Sequence, residues 1–146
     1  MRIWLPMKQV NLLYPELSFK IRGACYEVYN QLSGVYRESV FEKALMVELE
    51  DRGLSAERQK RIKLTYKGRP VGIYIPDIIV EDKVLMELKS KPVLLDTDRQ
   101  QFWNYLKGSE YKVGFLVNFG NKIEIIRRVY DRARQHNQHK SAISAI

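Results

Sequence analysis

The sequence predicts an α/β domain in which helices cover both faces of a sheet. Three observations carry this. Two early segments repeat apolar residues at intervals of three and four, the helical period. The segments after them are apolar on consecutive residues, as strands buried on both faces are. A further helical segment then separates those strands from two more.

Residues 1–14 read as a leader interrupted by Pro6. The first helix runs over 15–32. Leu17, Ile21, Cys25, Val28 and Leu32 form its stripe, and Pro15 takes a first-turn position that tolerates a missing N–H. Ser33-Gly34 break the chain. The second helix covers 38–52, with Val40, Phe41, Ala44, Leu45 and Leu49 on one side and Gly53 as its C-terminal stop. Residues 57–66 alternate charged and apolar, predicting one strand with a wet face. Lys67-Gly68-Arg69-Pro70 is a turn. Strands over 71–80 and 84–89 follow, joined by Glu81-Asp82-Lys83. Asp96 or Thr97 caps a third helix over 98–107, with Gly108 after it. A strand over 112–119 turns at Gly120-Asn121 into a strand over 122–128. From Tyr130 onward the chain is polar without a stripe, a frayed helical extension at most.

The 146 residues fit one domain. No apolar run approaches the ~20 residues a membrane helix needs, and the N-terminus lacks the pattern of a secretion signal. The single cysteine, Cys25, has no internal partner, which suits the cytoplasm. The net charge of +8 and pI near 9.6 favour polyanionic partners, although a solubilising excess would look the same. Both histidines, His136 and His139, lie in the polar C-terminal segment, which argues against a histidine metal site or a histidine base in the core. Chemistry must rest on carboxylates, lysines, hydroxyls or Cys25.

Two acids interrupt the apolar strands. Asp77 follows Ile75-Pro76 and precedes Ile78-Ile79-Val80. Glu87 lies within Val84-Leu85-Met86-Glu87-Leu88. A buried carboxylate is costly unless it is paired or holds a metal. If residues 81–83 form a three-residue turn, Val80 opposes Val84 and Asp77 falls opposite Glu87, with Cβ atoms about 4.5–5.5 Å apart. Lys89, two positions on, shares the face of Glu87. A two-residue turn would put the acids on opposite faces. Carboxylates so placed repel unless a cation lies between them or one is protonated. Hard oxygen donors select Mg²⁺ or Mn²⁺, and a nearby lysine suits phosphodiester hydrolysis. A plain Asp/Glu/Lys salt-bridge group is the bland alternative.

Pro76-Asp77, then nine residues, then Glu87-Leu88-Lys89 resembles the PD-(D/E)xK motif of that nuclease superfamily. The chain more closely resembles the GxxExxY group within it. The matching stretches are Tyr14-Pro15-Glu16-Leu17-Ser18, Glu38-Ser39-Val40-Phe41-Glu42, Glu81-Asp82-Lys83, Gln101-Phe102-Trp103-Asn104-Tyr105-Leu106 and Val117-Asn118-Phe119-Gly120. The resemblance implies a restriction-endonuclease-like αβββαβ core with a mixed central sheet and an extra N-terminal helix. It implies a nuclease-like domain over 1–129 and a polar tail over 130–146. By position, Asp77 and Glu87 match the metal-binding acids, Lys89 the catalytic lysine, and Glu38 the helical glutamate that completes the metal site. Without the resemblance, Glu38 reads only as a complement to the helix dipole. Gln101 and Tyr105 resemble a QxxxY motif and share one helix face. Two positions depart from the pattern: Val35 stands where the group's glycine falls, and Phe41 where its tyrosine falls.

The resemblance thus implies a Mg²⁺- or Mn²⁺-dependent nuclease acting on nucleic acid, DNA first. Lys63, Lys67 and Arg69, with Lys60 and Arg61, are candidate phosphate contacts, as are Arg127, Arg128, Arg132 and Arg134. Tyr36, Trp103 and Tyr111 are candidates for base stacking, although packing suits Trp103 better. The alternative is a binding or interaction module that keeps the fold without cutting. Oligomeric state is open, a homodimer included.

Overall fold

The computed structural model describes residues 13–131. Most of the leader, and the tail with Arg132, Arg134 and both histidines, lie outside the described residues. The first helix, α1 (Pro15–Leu32), forms where the apolar period placed it, and buries Ile21, Ala24, Cys25 and Val28. The second, α2 (Glu38–Asp51), buries Phe41, Leu45 and Leu49. It stops where Gly53 adopts φ +77°, a conformation that costs a glycine nothing.

The strand segments divide more finely than their pattern suggests. The expected strand over 57–66 is two strands, β1 (Ala56–Arg58) and β2 (Ile62–Tyr66), which belong to different sheets. Gln59, at φ +55°, turns the chain between them. The expected strand over 71–80 is likewise β3 (Arg69–Tyr74) and β4 (Ile78–Val80). Pro76 lies at the break, where it has no N–H to offer a ladder. The β2–β3 turn is Lys67-Gly68 alone, with both residues at positive φ as a primed hairpin turn requires. Arg69 and Pro70, expected in the turn, begin β3.

Strand β5 (Val84–Lys89) follows a three-residue turn, in which Glu81 and Asp82 both have positive φ. The register pairs Val80 with Val84 and Ile78 with Met86, and the ladder ends there, one residue short of Asp77. Helix α3 (Asp96–Gly108) starts two residues earlier than expected. Its N-cap is Leu95 rather than Asp96 or Thr97, and the Leu95 N–H donates to the Asp98 carboxylate at 2.9 Å. Strands β6 (Val113–Phe119) and β7 (Ile123–Val129) complete the chain.

The main sheet is mixed, with strand order β1-β4-β5-β6-β7. Strand β5 runs antiparallel to β4 and parallel to β6, with α3 as the crossover. Alternate residues feed two cores. Ile78, Val80, Val84, Met86, Leu88, Phe115 and Val117 pack under α1 and α2. Ile79, Leu85 and Leu116 pack with Phe102 and Leu106 of α3 and with Ile62 and Tyr74 of the β2–β3 hairpin. Each fully buried side chain of this kind contributes roughly 1.5–3 kcal/mol. Phe41 stacks on Phe119 with centroids 4.5 Å apart, a packing role that needs no hydroxyl. The fold is thus the expected one, a mixed sheet flanked by helices with an added N-terminal helix. Its consequence for chemistry is that Glu87 and Lys89, following Leu85 at two-residue steps, project toward α3.

Candidate functional site

Glu87, Lys89, Gln101 and Tyr105 line one cavity of about 300 Å³, between the C-terminal end of β5, α3 and the hairpin residues Ile73, Tyr74 and Ile75. Glu38 and Asp77 do not line it. Asp77 sits in the bend before β4, half-buried, and its Oδ2 accepts the Leu88 N–H at 2.7 Å. That bond holds it beside Glu87 although the ladder has ended.

Charge is poorly compensated here. Glu87 has its pKa pushed up to about 8, first by burial and then by the Asp77 charge. The Tyr74 hydroxyl donates to Glu87 Oε1, and with Lys89 it opposes that rise without cancelling it. Burial also raises Asp77, with Glu42 adding to it while the Leu88 N–H and Lys89 oppose. Glu38, at the start of α2, is raised by burial and then by Asp77. The three acids therefore belong to one electrostatic group. Lys89 is half-buried among them and, among the described residues, makes no ion pair.

The pattern of the sequence gave five participants no part in the site. Glu42, one helical turn beyond Glu38, is buried and accepts hydrogen bonds from Arg58 Nε at 2.8 Å and Gln59 Nε2 at 3.0 Å. Its i+4 spacing from Glu38 was the available signal. Tyr74 holds Glu87 and stacks on Tyr105 with centroids 4.2 Å apart and planes 4° from parallel. Lys91 and Asp98 form an ion pair of 2.7 Å. Asn118, fully buried, grips Lys91 by its backbone N–H and carbonyl, both at 3.0 Å. Gly120 lets that loop close: a Cβ there would lie 2.3 Å from the Lys91 carbonyl oxygen.

Lys63, Lys67 and Arg69 are all exposed on the β2–β3 hairpin. Lys63 pairs with Ile73 across the hairpin and so shares its face, while Lys67 lies over the Tyr66 ring. Lys60 is drawn away to Asp82 and Glu57. Tyr111 donates to Asp82 at 2.6 Å, and Trp103 packs edge-on to Tyr130.

Hard carboxylate oxygens are the donors that a divalent cation such as Mg²⁺ takes, and mutual repulsion among them is what such an ion relieves. In donor type, Asp77, Glu87 and Glu38 fit. Among the described residues, no three acid, histidine or cysteine side chains are grouped so as to hold one metal ion together. No helix of the described residues is long and apolar enough to cross a membrane.

A family model described as PD-(D/E)XK nuclease superfamily matches residues 15–129. Among solved structures, the chain is similar to an alkaline exonuclease from Laribacter hongkongensis. The two are 14% identical, the match covers 85% of this chain and 77% of that one, and the TM-score is 0.40. No curated protein matches.

Proposed function

Because the chain belongs to the PD-(D/E)XK nuclease superfamily, we propose that it is a metal-dependent nuclease that hydrolyses phosphodiester bonds in DNA. The observation that carries this reading is Lys89. It is a half-buried cation on the wall of a cavity, beside two carboxyls of raised pKa, and among the described residues it makes no ion pair. A structural salt bridge would have consumed that charge.

Asp77 and Glu87 would hold Mg²⁺ or Mn²⁺, and Glu38 would have to swing toward them from the start of α2 to complete the set; the ion would supply Lewis-acid polarisation of the scissile phosphate. Lys89 orients the attacking water and stabilises the charge that develops on phosphorus-bound oxygen. Water oxygen forms the new bond to phosphorus, the bond to the leaving oxygen breaks, and that oxygen ends protonated. Tyr74 fixes the Glu87 carboxyl. Gln101 and Tyr105 guide the chain along α3, and Lys63, Lys67 and Arg69 contact phosphates. The finer assignment to the GxxExxY group rests on the stretches it shares with this sequence. A cytoplasmic setting rests on the single, unpartnered Cys25.

The test is cleavage of single-stranded, duplex and flapped DNA with Mg²⁺ and with Mn²⁺. Asp77→Ala and Lys89→Ala should each lower the rate by about 10²- to 10⁴-fold. A wild-type chain that binds these DNAs with steep salt dependence but cuts none is a binding module instead. One that neither binds nor cuts is an interaction protein.

A further inference from the structure

We propose that the cavity beside Glu87 and Lys89 takes one unpaired nucleotide, its base against Tyr105 and its phosphate toward Lys89, so that the substrate is a single-stranded end or flap. This rests on the nuclease reading above and names its substrate class.

Size argues first. About 300 Å³ is at the lower end for ligand pockets, room for one base with its sugar and not for a stacked base pair. The lining argues second. Tyr105 is half-buried and held by its parallel stack on Tyr74, which lines the same cavity, so that the pair forms a rigid aromatic wall whose uncovered surface is of the kind on which unpaired bases stack. At the mouth, Ile73 and Ile75 are 55% and 40% exposed, apolar surface that the core does not use.

Continuity argues third. A second cavity, about 560 Å³, shares Gln101 and Tyr105 with the first and is otherwise lined by Thr97, Gln100 and Asn104. Its neutral amides and hydroxyl offer donors and acceptors to base edges rather than charge to phosphate. Cations stand to the side instead: Lys63 shares the hairpin face of Ile73 and makes no ion pair among the described residues. Bases toward α3 and phosphates toward the hairpin is the arrangement of a single strand lying in a track. In a duplex the base faces are stacked and hidden, so that a paired end would have to unstack to enter.

The experiment is binding to the full chain in EDTA, where no cleavage interferes. The probes are oligonucleotides carrying 2-aminopurine in a single strand, in a short overhang, or inside a blunt duplex. The single strand and overhang should bind about tenfold or more tighter than the blunt duplex, the size of one base–aromatic stack, and their fluorescence should be quenched. Tyr105→Leu should abolish the quench and most of the preference. Because that variant removes a stacked, half-buried ring, Ile73→Asp is the second. It replaces an exposed residue, should leave the thermal melt unchanged, and should lose the same preference. Equal affinity for blunt duplex, absence of quenching, or an Ile73→Asp variant that keeps both preference and quench would overturn the inference. Single-strand preference and quenching without any cleavage in Mg²⁺ would leave this inference standing and sink the nuclease reading. Internal cutting of duplex with no single-strand preference would do the reverse.

Discussion

Asp98 and Glu87 line the same cavity, yet their surroundings push them in opposite directions. Around Asp98, burial works against ionisation, but the Lys91 ammonium and the Leu95 N–H outweigh it and hold the carboxyl below its ordinary range. Around Glu87, burial and the neighbouring Asp77 charge win over Tyr74 and Lys89, and the pKa rises to about 8. One acid has been given a partner and a helix end to cap. The other has been placed where its charge is unwelcome. The first arrangement stabilises the fold. The second costs stability, and such a cost points to a site of function.

Asp98→Ala should have the largest effect on stability, about 2 kcal/mol, because it removes a capping acceptor and leaves Lys91 without its partner. Lys91 is 38% exposed, which keeps the loss below that of a fully buried pair. Urea denaturation measures it, and a loss near zero would mean that Asp98 is not a structural acid.

Glu87→Gln should act in the opposite direction in the absence of divalent ions. The folded pKa near 8 lies above the ordinary value of 4.5. The stability linked to protonated Glu87 is therefore present below about pH 4.5 and is lost as pH rises through 8. The variant should match wild type at pH 4 and exceed it at pH 9, by on the order of 2 kcal/mol. Thermal melts across that range read the difference, and parallel profiles would show that Glu87 carries no such cost.

The smallest effect sharpens the same contrast among cations. Lys91 is paired with Asp98, whereas Lys63 makes no ion pair among the described residues. Lys63→Ala should lower the slope of log affinity for DNA against log salt by about one and leave the fold's stability within about 0.5 kcal/mol. An unchanged slope would place Lys63 away from phosphate.

What the sequence made legible was whatever depends on neighbours in the chain. The stripe of Ile21, Cys25 and Val28 marks a helix because the period is local. The three residues between Val80 and Val84 set a register that the ladder follows. Gln59 and Pro76 broke two expected strands because each segment is shared between two sheets, and hydropathy carries no label for which sheet a residue joins. Glu42 was missed for a different reason. Its burial depends on Arg58 and Gln59, which arrive from beyond the helix through tertiary packing. Tyr74 reads as one more strand aromatic until Glu87, thirteen residues later, is brought to its hydroxyl. Asp77, Glu87 and Lys89 were legible as neighbours because the short turn sets the register, although Asp77 lies just past the ladder and is held by the Leu88 N–H.

The short turn between β4 and β5 has a consequence for how the molecule comes into being. A hairpin closed by three residues forms through local contacts, whereas the β5–β6 pairing must wait for α3 to cross between them. Contacts near in sequence are made sooner than distant ones. Closing that hairpin carries the Asp77 charge toward Glu87, so their repulsion should weigh on the rate of folding as well as on the finished protein. The same two charges that would serve the chemistry should then slow folding as pH rises through 8.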